Sequence, residues 1–475
     1  MTLSQFWTMI FGKQIVWDER ARGRDKLALR GGQRLRFSDT HLGLANLAQL
    51  LINALTGNWP TAGRPVTLTC FVGRVSLPSL AQSCSRKVRL ERKPAQRRGG
   101  HVLRMTTKPT NPSGKMPLRW GGEAARIAVI PGDGIGKEVT PEAVKVLRAV
   151  TAPAKRPLEF VEFDWGADRY LKDGVSLPAG AVEMLRDEFD AILFGALGDP
   201  RVPSNQHAAD ILLGLRFKLD LYVNARPVEL LHERLTPLRD RTEKDIQLMV
   251  FRENTEGLYV GVGGFFKKGT ADEIAMQEDV NSRKGVERII RYAYDYARQN
   301  GLKRVCMSDK SNAMTFAHDL WQRVFKEVKQ EYPKIESRHL YIDTLCMEIV
   351  RDPSQFDVIV TCNLFGDIVS DLGAQLAGGL GLAPSGNIHP GRTSLFEPVH
   401  GSAPNIAGKG IANPFGSVLA SAMMLDFLGW KPEAQVLREG VKAALKENFV
   451  TPDLGGVKQT VEVGDWLAKF ADRVQ

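Results

Sequence analysis

Residues 126–150 read RIAVIPGDGIGKEVTPEAVKVLRAV, and this stretch decides the fold. The apolar run at 127–130 predicts a buried strand, a glycine turn follows at 131–136, and the apolar spacing of 141–150 predicts an amphipathic helix. Strands that alternate with helices predict an α/β fold with a mostly parallel sheet covered on both faces. Similar apolar runs, each flanked by helical segments, recur at 191–194, 247–251, 304–307 and 358–361.

The turn Gly132-Asp133-Gly134-Ile135-Gly136 resembles a dinucleotide-binding loop only superficially. It lacks the G-x-G-x-x-G spacing that lets a helix N-terminus approach a pyrophosphate. We therefore interpret it as a tight strand-to-helix turn.

The charge of the chain is unevenly distributed. The 475 residues carry 64 Lys and Arg against 54 Asp and Glu, a net charge of +10. Residues 1–122 hold 21 of the basic and 5 of the acidic residues, which leaves 43 against 49 for the remainder. The basic character therefore belongs to the first quarter and argues against a nucleic-acid partner for the rest.

Residues 1–123 form a basic N-terminal extension without a sustained helical or strand period. Three interpretations stay open: a basic arm for nucleic acid or a membrane surface, a targeting extension, or upstream sequence translated from a start codon placed before Met105 or Met116. The stretch 107–115 is rich in Pro, Thr and Ser and is typical of a flexible lead-in to the folded part.

Cellular location is inferred from what the sequence lacks. It shows no unbroken apolar stretch of membrane-spanning length, and its best candidate, 42–55, is interrupted by polar residues. It also does not begin with a secretory signal. The scattered cysteines contain no C-x-x-C pair and favour a reducing, cytoplasmic setting; they are Cys70, Cys84, Cys306, Cys346 and Cys362.

Two carboxylates follow the last apolar strand. Asp367 and Asp371 are four residues apart, so a helix beginning at the preceding glycine turn places both on one face. Such like charges repel, and a bound divalent cation would relieve the repulsion. Oxygen ligands favour Mg²⁺ or Mn²⁺, although a solvated helix face is the plain alternative.

Three arginines stand beside apolar or aromatic neighbours: Arg216, Arg226 and Arg252. The planar guanidinium suits bidentate binding of carboxylates, and several together suit a di- or tricarboxylate. A single such arginine is more often part of a structural ion pair.

The order of motifs resembles the β-decarboxylating dehydrogenases, the family of isopropylmalate, isocitrate, homoisocitrate and tartrate or D-malate dehydrogenases. The resemblance covers about residues 126–475. Its motifs are Gly132-Asp133-Gly134-Ile135-Gly136, Leu215-Arg216, Asn224-Ala225-Arg226-Pro227, Arg252-Glu253-Asn254-Thr255-Glu256-Gly257-Leu258-Tyr259, Asp309-Lys310-Ser311-Asn312, Asp343, Asn363-Leu364-Phe365-Gly366-Asp367-Ile368-Val369-Ser370-Asp371 and Glu397-Pro398-Val399-His400.

The resemblance implies a mechanism. The three arginines would bind the carboxylates of a small 2-hydroxy diacid. Asp367 and Asp371, with Asp343 of a neighbouring subunit, would hold the metal ion. Lys310, also from the partner, would help to remove the hydroxyl proton, and Tyr259 would protonate the carbon after CO₂ leaves. The active unit would then be a homodimer with shared active sites.

The resemblance also implies a cofactor loop and a two-domain subunit. Large-domain residues 124–221 and 379–475 would bind the cofactor, and 222–378 would form a small domain with the dimer interface and the active-site cleft between the two. Asn405 followed by Ile406 favours NAD over NADP, because no cation is supplied for a 2′-phosphate. The cofactor residues implied are His400, Gly401, Ser402, Ala403, Pro404, Asn405, Ile406 and Asn413.

Substrate choice depends on the helix before Arg216. Isocitrate-type enzymes resemble one another in having Ser and Asn six and four residues before this arginine, where this chain has Asp210 and Leu212. Leu212 and Leu213 favour an isopropyl group, hence 3-isopropylmalate, because an unpaired carboxylate would be costly beside them. Two features cut against this: the spelling Arg252-Glu253-Asn254-Thr255 is commoner in the other enzymes, and the leucines could simply pack the helix.

Overall fold

The structure, a computed structural model, describes residues 15–16, 26–29, 33–36, 125–153 and 157–474. The chain divides into two units, Met1–Thr107 and Lys108–Gln475. In the first unit three short strands pair antiparallel in the order β1-β2-β3: β1 (Ile15–Val16), β2 (Lys26–Leu29) and β3 (Gln33–Arg36).

Most of the predictions for the basic extension concern residues outside the described ones. These include the apolar stretch 42–55, the start-codon interpretation and the lead-in at 107–115. Within the described residues, no helix is both long and apolar enough to cross a membrane.

The second unit alternates strands and helices, as predicted. In chain order its main elements are β4 (Ala125–Gly132), α1 (Gly136–Thr151), β5 (Leu158–Glu162), α2 (Ala167–Asp173), α3 (Ala181–Glu188), β6 (Ala191–Ala196), α4 (Gln206–Ala208, continued by a π-helical Ala209–Leu213 and by Gly214–Lys218), β7 (Val223–Glu229), β8 (Gln247–Glu253), β9 (Gly263–Phe266), β10 (Ile274–Gln277), α5 (Arg283–Gln299), β11 (Arg304–Asp309), α6 (Ala317–Val328), β12 (Glu336–Tyr341), α7 (Ile342–Arg351), β13 (Val358–Thr361), α8 (Asn363–Leu376), β14 (Pro384–Ile388), β15 (Ser394–Pro398), α9 (Phe415–Leu428), α10 (Lys431–Lys446) and α11 (Thr460–Val474).

One ten-stranded sheet runs through this unit in the order β12-β11-β13-β8-β7-β14-β15-β6-β4-β5. The four strands at each end pair parallel, and β7 and β14 join the two groups through antiparallel pairings. The predicted α/β class with a mostly parallel sheet is confirmed. The predicted domain boundaries fall beside the two joining strands, and the division into domains stays a prediction.

The strand and turn at residues 125–136 form as predicted, but the helix that follows is longer. Nearly every residue of β4 is buried, as expected for a strand covered on both faces. Helix α1 begins at Gly136, five residues before the predicted start at Pro141. Pro141 lies inside the helix, where its missing N–H deprives the carbonyl of Lys137 of its usual donor.

The glycine turn is tied to its surroundings by Asp133. This carboxylate is buried, accepts the backbone N–H groups of Ala167 and Gly198, and lies 2.7 Å from Nε2 of His207. Gly134 has φ +51°, and a Cβ there would lie 2.1 Å from the carbonyl oxygen of Ser402. Glycine is required at this position because the turn is pressed against the chain after β15.

Strands β7 and β8 lie next to each other at the centre of the sheet and place the functional side chains. Side chains alternate between the two faces of a strand. Arg226 and Arg252 therefore face one side, while Ala225 and Phe251, which pair across the two strands, face the other. The two arginines meet helix α8 on their side of the sheet.

Candidate active site

Three buried arginines converge between α4, β7 and β8. Arg216, Arg226 and Arg252 are 5%, 6% and 1% exposed. Burial lowers the pKa of Arg226, and burial together with Arg216 and Arg226 lowers the pKa of Arg252. Arg216 thus disfavours the charge of Arg226, and both disfavour the charge of Arg252; an anionic ligand would relieve this repulsion.

Carboxylates of the chain neutralise part of this charge. Nη2 of Arg216 lies 3.0 Å from Glu397, and Arg252 forms a close ion pair with Asp367. Arg226 reaches Oδ1 of Asp371 at 3.3 Å and Oδ1 of Asp367 at 3.5 Å.

One buried donor of the arginine cluster is unpaired. Among the residues that the structure describes, Nε of Arg216 is buried and has no hydrogen-bond partner. An unpaired buried donor costs about 1–3 kcal/mol, so it marks a place where a ligand oxygen would be favourable.

Amides and hydroxyls hold the arginines in place. Nε of Arg226 donates to Asn224 at 2.9 Å, and its Nη1 donates to the Ser370 hydroxyl at 3.0 Å. Nε of Arg252 donates to Asn363 at 2.9 Å. These bonds fix the orientation of each guanidinium before any ligand arrives.

Tyr259 joins the same cluster. Its hydroxyl donates to Oδ2 of Asp367 at 2.8 Å, and the guanidinium of Arg252 lies 5.0 Å above the centre of its ring. Burial and the neighbouring carboxylate raise the pKa of Tyr259, so the hydroxyl keeps its proton at neutral pH. A protonated phenol beside three arginines can serve as a proton donor to a bound anion.

Asp367 and Asp371 lie on α8, which begins at Asn363 rather than at the glycine. Burial raises the pKa of Asp367, but Arg252 and Arg226 outweigh it, and the net pKa is lowered. Burial and the nearby Asp367 raise the pKa of Asp371. Carboxylate oxygens are hard ligands, which suit Mg²⁺ or Mn²⁺. The side chain of Asp371 is half-exposed, and a cation bound there would offset the repulsion between Asp367 and Asp371.

The structure does not bring Lys310 and Asp343 into this cluster. Nζ of Lys310 pairs with Oδ1 of Asp343 at 2.7 Å, at the ends of β11 and β12, and the Asp343 side chain is 62% exposed. Among the described residues, no hydrogen bond or ion pair joins this pair to Asp367 or Asp371. Within the same residues, no group of three or more Asp, Glu, His or Cys side chains could hold a metal ion.

A buried network positions the backbone of Lys310. Its N–H donates to Nδ1 of His318 at 2.7 Å. Burial raises the pKa of the preceding Asp309. Its carboxylate is hydrogen-bonded to His339 at 2.9 Å, to the N–H of Ser311 and to Gln322, and these bonds outweigh burial, so that the net pKa is lowered. Asp309 is therefore ionised and anchors the end of β11.

The loop at 400–414 folds against the start of α1. The carbonyl of Ser402 accepts the N–H of Ile135, and the carboxylate of Glu138 accepts the N–H groups of Gly408 and Gly410 at 2.6 and 3.0 Å. Ile406 packs beside Ile135. The loop is therefore attached both to the glycine turn and to the first turn of α1.

The polar side chains of this loop differ in their surroundings. Within the described part of the chain, Nε2 of His400 is buried without a hydrogen-bond partner, and burial lowers the pKa of this side chain, which keeps it neutral. Asn405 is exposed, whereas Asn413 is buried and donates to Asp453 at 2.9 Å. Neutral donors and acceptors of this kind suit the adenosine part of a dinucleotide.

The two leucines of α4 differ in their surroundings. Leu212 packs against the hydrophobic cluster that contains Ile211 and Leu215. Leu213 belongs to none of the described hydrophobic clusters and is partly exposed. Both side chains are partly exposed, so the prediction that they line the substrate pocket stays a prediction for each, and Leu212 also has part of its surface in the core.

Sequence reasoning missed the partners of these side chains. Glu397 and Asn224 stand in quoted motifs and could have been assigned from their positions beside functional residues. Glu138 and His318 stand outside the quoted motifs: Glu138 binds a loop 270 residues away, and His318 follows Lys310 by eight residues.

Comparison with known proteins places this geometry in a family. Residues 126–467 match the sequence model described as isocitrate/isopropylmalate dehydrogenase. The chain is 47% identical to a 3-isopropylmalate dehydrogenase of Thermobifida fusca (strain YX) over 346 residues, 72% of this chain and 97% of that protein. It is 44% identical to the decarboxylating D-malate dehydrogenase of Escherichia coli (strain K12) over 354 residues, 73% of this chain and 98% of that protein.

Solved structures agree. Isocitrate dehydrogenase from Methylococcus capsulatus is 36% identical, has a TM-score of 0.66, and is matched over 73% of this chain and 99% of that one. The family match covers most of the chain from Arg126 onward. The resemblance inferred from the motifs is confirmed: the chain belongs to the isocitrate/isopropylmalate dehydrogenase family of oxidative, decarboxylating dehydrogenases.

Proposed function

We propose that the protein oxidises 3-isopropylmalate at its C2 hydroxyl with NAD and releases CO₂ to give 2-oxo-4-methylpentanoate, a step of leucine synthesis. The observation that carries this proposal is the single cluster of three buried arginines, two aspartates and a tyrosine. Relatives 43–47% identical to the chain are named 3-isopropylmalate dehydrogenases.

In this proposal the arginine cluster binds and orients the two carboxylates of the substrate. The free Nε of Arg216 supplies one donor, and Arg226 and Arg252 supply others on displacement of their carboxylate partners. Tyr259 donates its proton to the carbon from which CO₂ has left. Asp367 and Asp371 would hold a divalent cation, which would supply Lewis-acid chemistry to the oxidation and decarboxylation.

The base and the third metal ligand are proposed to come from a second copy of the chain. Lys310 and Asp343 lie apart from the cluster within one chain, so an intact site needs them from a partner. Asp343 would complete the metal site, and Lys310 would take the hydroxyl proton. In the partner, Lys310 would exchange its contact with Asp343 for the substrate.

Exposed apolar side chains support a homodimer. Met347 of α7 is 72% exposed and follows Asp343 by one helical turn, and Ile368 of α8 is 50% exposed beside Asp367. The hairpin of β9 and β10 also carries exposed apolar side chains on both strands; they are Phe265, Phe266, Ile274 and Met276. Clustered exposed apolar side chains are typical of an interface. Met347 and Ile368 lie beside Asp343 and Asp367, the aspartates that are proposed to share the metal ion across the dimer.

NAD is the proposed cofactor, bound by the loop at 400–414. Exposed Asn405 can hydrogen-bond a ribose hydroxyl, and neither it nor Ile406 offers a cation to a 2′-phosphate. A cytoplasmic location is part of the proposal and is supported by the cysteines that the structure describes, since Cys306, Cys346 and Cys362 form no disulfide.

D-malate is the second candidate substrate. The similarity to the decarboxylating D-malate dehydrogenase is nearly as high as that to the isopropylmalate enzymes, and Leu212 has part of its surface in the core. Each methylene removed from an apolar pocket costs about 1–3 kcal/mol of binding, roughly 10- to 200-fold in specificity. Substrate preference therefore rests on a few contacts near Leu212 and Leu213.

The proposal is tested with the purified chain, Mg²⁺ or Mn²⁺, and each of five substrates: 3-isopropylmalate, D-malate, isocitrate, homoisocitrate and tartrate. We expect the highest kcat/KM with 3-isopropylmalate and NAD. A Leu213→Ala variant should lose preference for 3-isopropylmalate over D-malate, whereas Leu171→Ala, an exposed leucine on α2, should not. A higher kcat/KM for any other substrate would overturn the assignment.

A further inference from the structure

A cavity lies behind the active-site arginines, on the other face of the sheet. It has a volume of ≈ 560 Å³ and is lined by Ala225 of β7 and Phe251 of β8, which pair directly across the two strands. Each is followed in sequence by an arginine of the site, Arg226 or Arg252, on the opposite face of the sheet. The floor of the cavity and the arginine cluster are therefore two faces of the same pair of strands.

The walls of the cavity are aromatic and aliphatic. Tyr292 and Tyr296 of α5 stand on one side, and Met423 and Phe427 of α9 on the other. Its volume falls within the range of about 300–1,000 Å³ that is usual for small-molecule sites. The walls favour an apolar body of about that size.

The rim carries charge, most of it already paired. Asp426 forms an ion pair with Arg438, and Glu229 pairs with Lys442 at 2.7 Å. Lys431, at the start of α10, also lines the cavity and has no ion pair or hydrogen bond within the described part of the chain. The charge left unbalanced at the rim is therefore a single cation.

Two hydroxyls inside the cavity lack partners. Neither Tyr292 nor Tyr296 makes a side-chain hydrogen bond among the described residues, and burial raises the pKa of both. Both phenols therefore remain donors at neutral pH. The walls therefore offer two hydroxyls for polar contacts as well as apolar surface.

We propose that this cavity is a regulatory site for an amphipathic monocarboxylate, a small acid with an apolar alkyl or aryl body. The body lies between Phe251 and Met423, and the carboxylate pairs with Lys431 at the rim. The tyrosine hydroxyls meet the remaining polar atoms of the ligand. No part of this binding site belongs to the proposed catalytic machinery.

A ligand bound in the cavity would affect the arginine cluster. The ligand would touch the back of β7 and β8, the strands that carry Arg226 and Arg252. It would also touch residues of both predicted domains, 222–378 and 379–475. A body held there fixes the spacing of the two domains on the face opposite the arginines, so we expect KM for 3-isopropylmalate to change. This kinetic effect rests on the proposed function, whereas the binding itself does not.

The test uses 4-phenylbutyrate as the probe and 4-phenylbutan-1-ol as its neutral counterpart, titrated calorimetrically into the full chain. We expect saturable binding of the acid, about two- to five-fold tighter than that of the alcohol, as an exposed ion pair would give. Lys431→Gln should remove the difference between the two probes. Lys446→Gln, an exposed lysine at the other end of α10, is the matched control and should keep it.

A filling variant tests the location. Met423→Trp should abolish binding of both probes, and a crystal structure of the wild-type protein with 4-phenylbutyrate should show the ring in the cavity even if the variant fails to fold. Absence of saturable binding, or a ring bound elsewhere, would overturn the site. Saturable binding with an unchanged KM for 3-isopropylmalate would overturn its regulatory role, and inactivity of the chain towards every substrate would count against the proposed function alone.

Discussion

Replacing Tyr259 with Phe separates the catalytic part of its role from its structural part. The hydroxyl donates to Asp367 at 2.8 Å, and the ring lies beneath the guanidinium of Arg252. Tyr259→Phe removes the hydroxyl and keeps the ring. The variant therefore loses a proton donor and one hydrogen bond, while the contact with Arg252 survives.

The two losses differ greatly in size. A hydrogen bond to a charged acceptor contributes about 1.5–3 kcal/mol when buried, and less here because Tyr259 is only half-buried, so we expect a loss of about 1–2 kcal/mol in the free energy of unfolding. A positioned general acid contributes about 10²- to 10⁴-fold to turnover. We expect kcat to fall by that factor, with KM for 3-isopropylmalate changed by less than about three-fold.

Tyr332→Phe is the matched control. Its hydroxyl donates to the carboxylate of Asp295 at 2.9 Å, an equivalent bond remote from the arginine cluster. Initial rates of NADH formation give kcat and KM, and urea unfolding gives the stability of both variants. The assignment of Tyr259 would be refuted by a kcat within about two-fold of wild type, or by an equal loss of kcat in the control.

Four further outcomes are expected. Asp309→Asn should lower the free energy of unfolding by about 2 kcal/mol at pH 7. Because the pKa of Asp309 is lowered in the folded state, its stabilising effect is complete above the ordinary pKa of 3.8 and is lost as the pH falls through the native value. Urea unfolding from pH 7 to 3 should therefore show that the difference in stability from wild type shrinks only below pH 3.8. Lys310→Met and Asp371→Asn should each be inactive, yet refolding them together should restore about a quarter of wild-type activity, because half of the dimers are mixed and each mixed dimer has one intact site; no recovery would exclude a shared site. Gly134→Ala should raise KM for NAD and lower the melting temperature more than Gly174→Ala, since a Cβ meets the Ser402 carbonyl at the first position and nothing within 4 Å at the second; equal effects would contradict the tight turn. Chelation of divalent cations should abolish turnover, and added Mg²⁺ or Mn²⁺ should restore it; activity that survives exhaustive chelation would contradict the metal site.

The sequence predicts the fold class well because the apolar runs are local. The strands at 191–194, 247–251, 304–307 and 358–361 all form, each within one or two residues of its predicted bounds. Pairing partners are not local, and the antiparallel insertion of β7 and β14 into the sheet has no signal in either strand alone. The early start of α1 could not be predicted from the local sequence either. Proline usually marks the first turn of a helix, and here packing of the helix outweighs that tendency of Pro141.

The sequence predicts which residues belong to the candidate site but not which of them contact one another. Motif order assigns Arg216, Arg252 and Tyr259, and the structure brings them together. The separation of Lys310 and Asp343 from that cluster could not be read from spacing, since it depends on the order of strands in the sheet, where β13 lies between β11 and β8. Pairings such as that of Arg216 with Glu397, 181 residues apart, also appear only in the folded chain.

The most direct test of the central claim is the stoichiometry of one reaction. Purified protein is given 3-isopropylmalate, NAD and Mg²⁺, and NADH, CO₂ and 2-oxo-4-methylpentanoate are measured in the same sample. We predict equal amounts of all three, with formation of each dependent on the metal ion. NADH without CO₂, or no turnover of 3-isopropylmalate under conditions in which another hydroxy diacid reacts, would contradict the account.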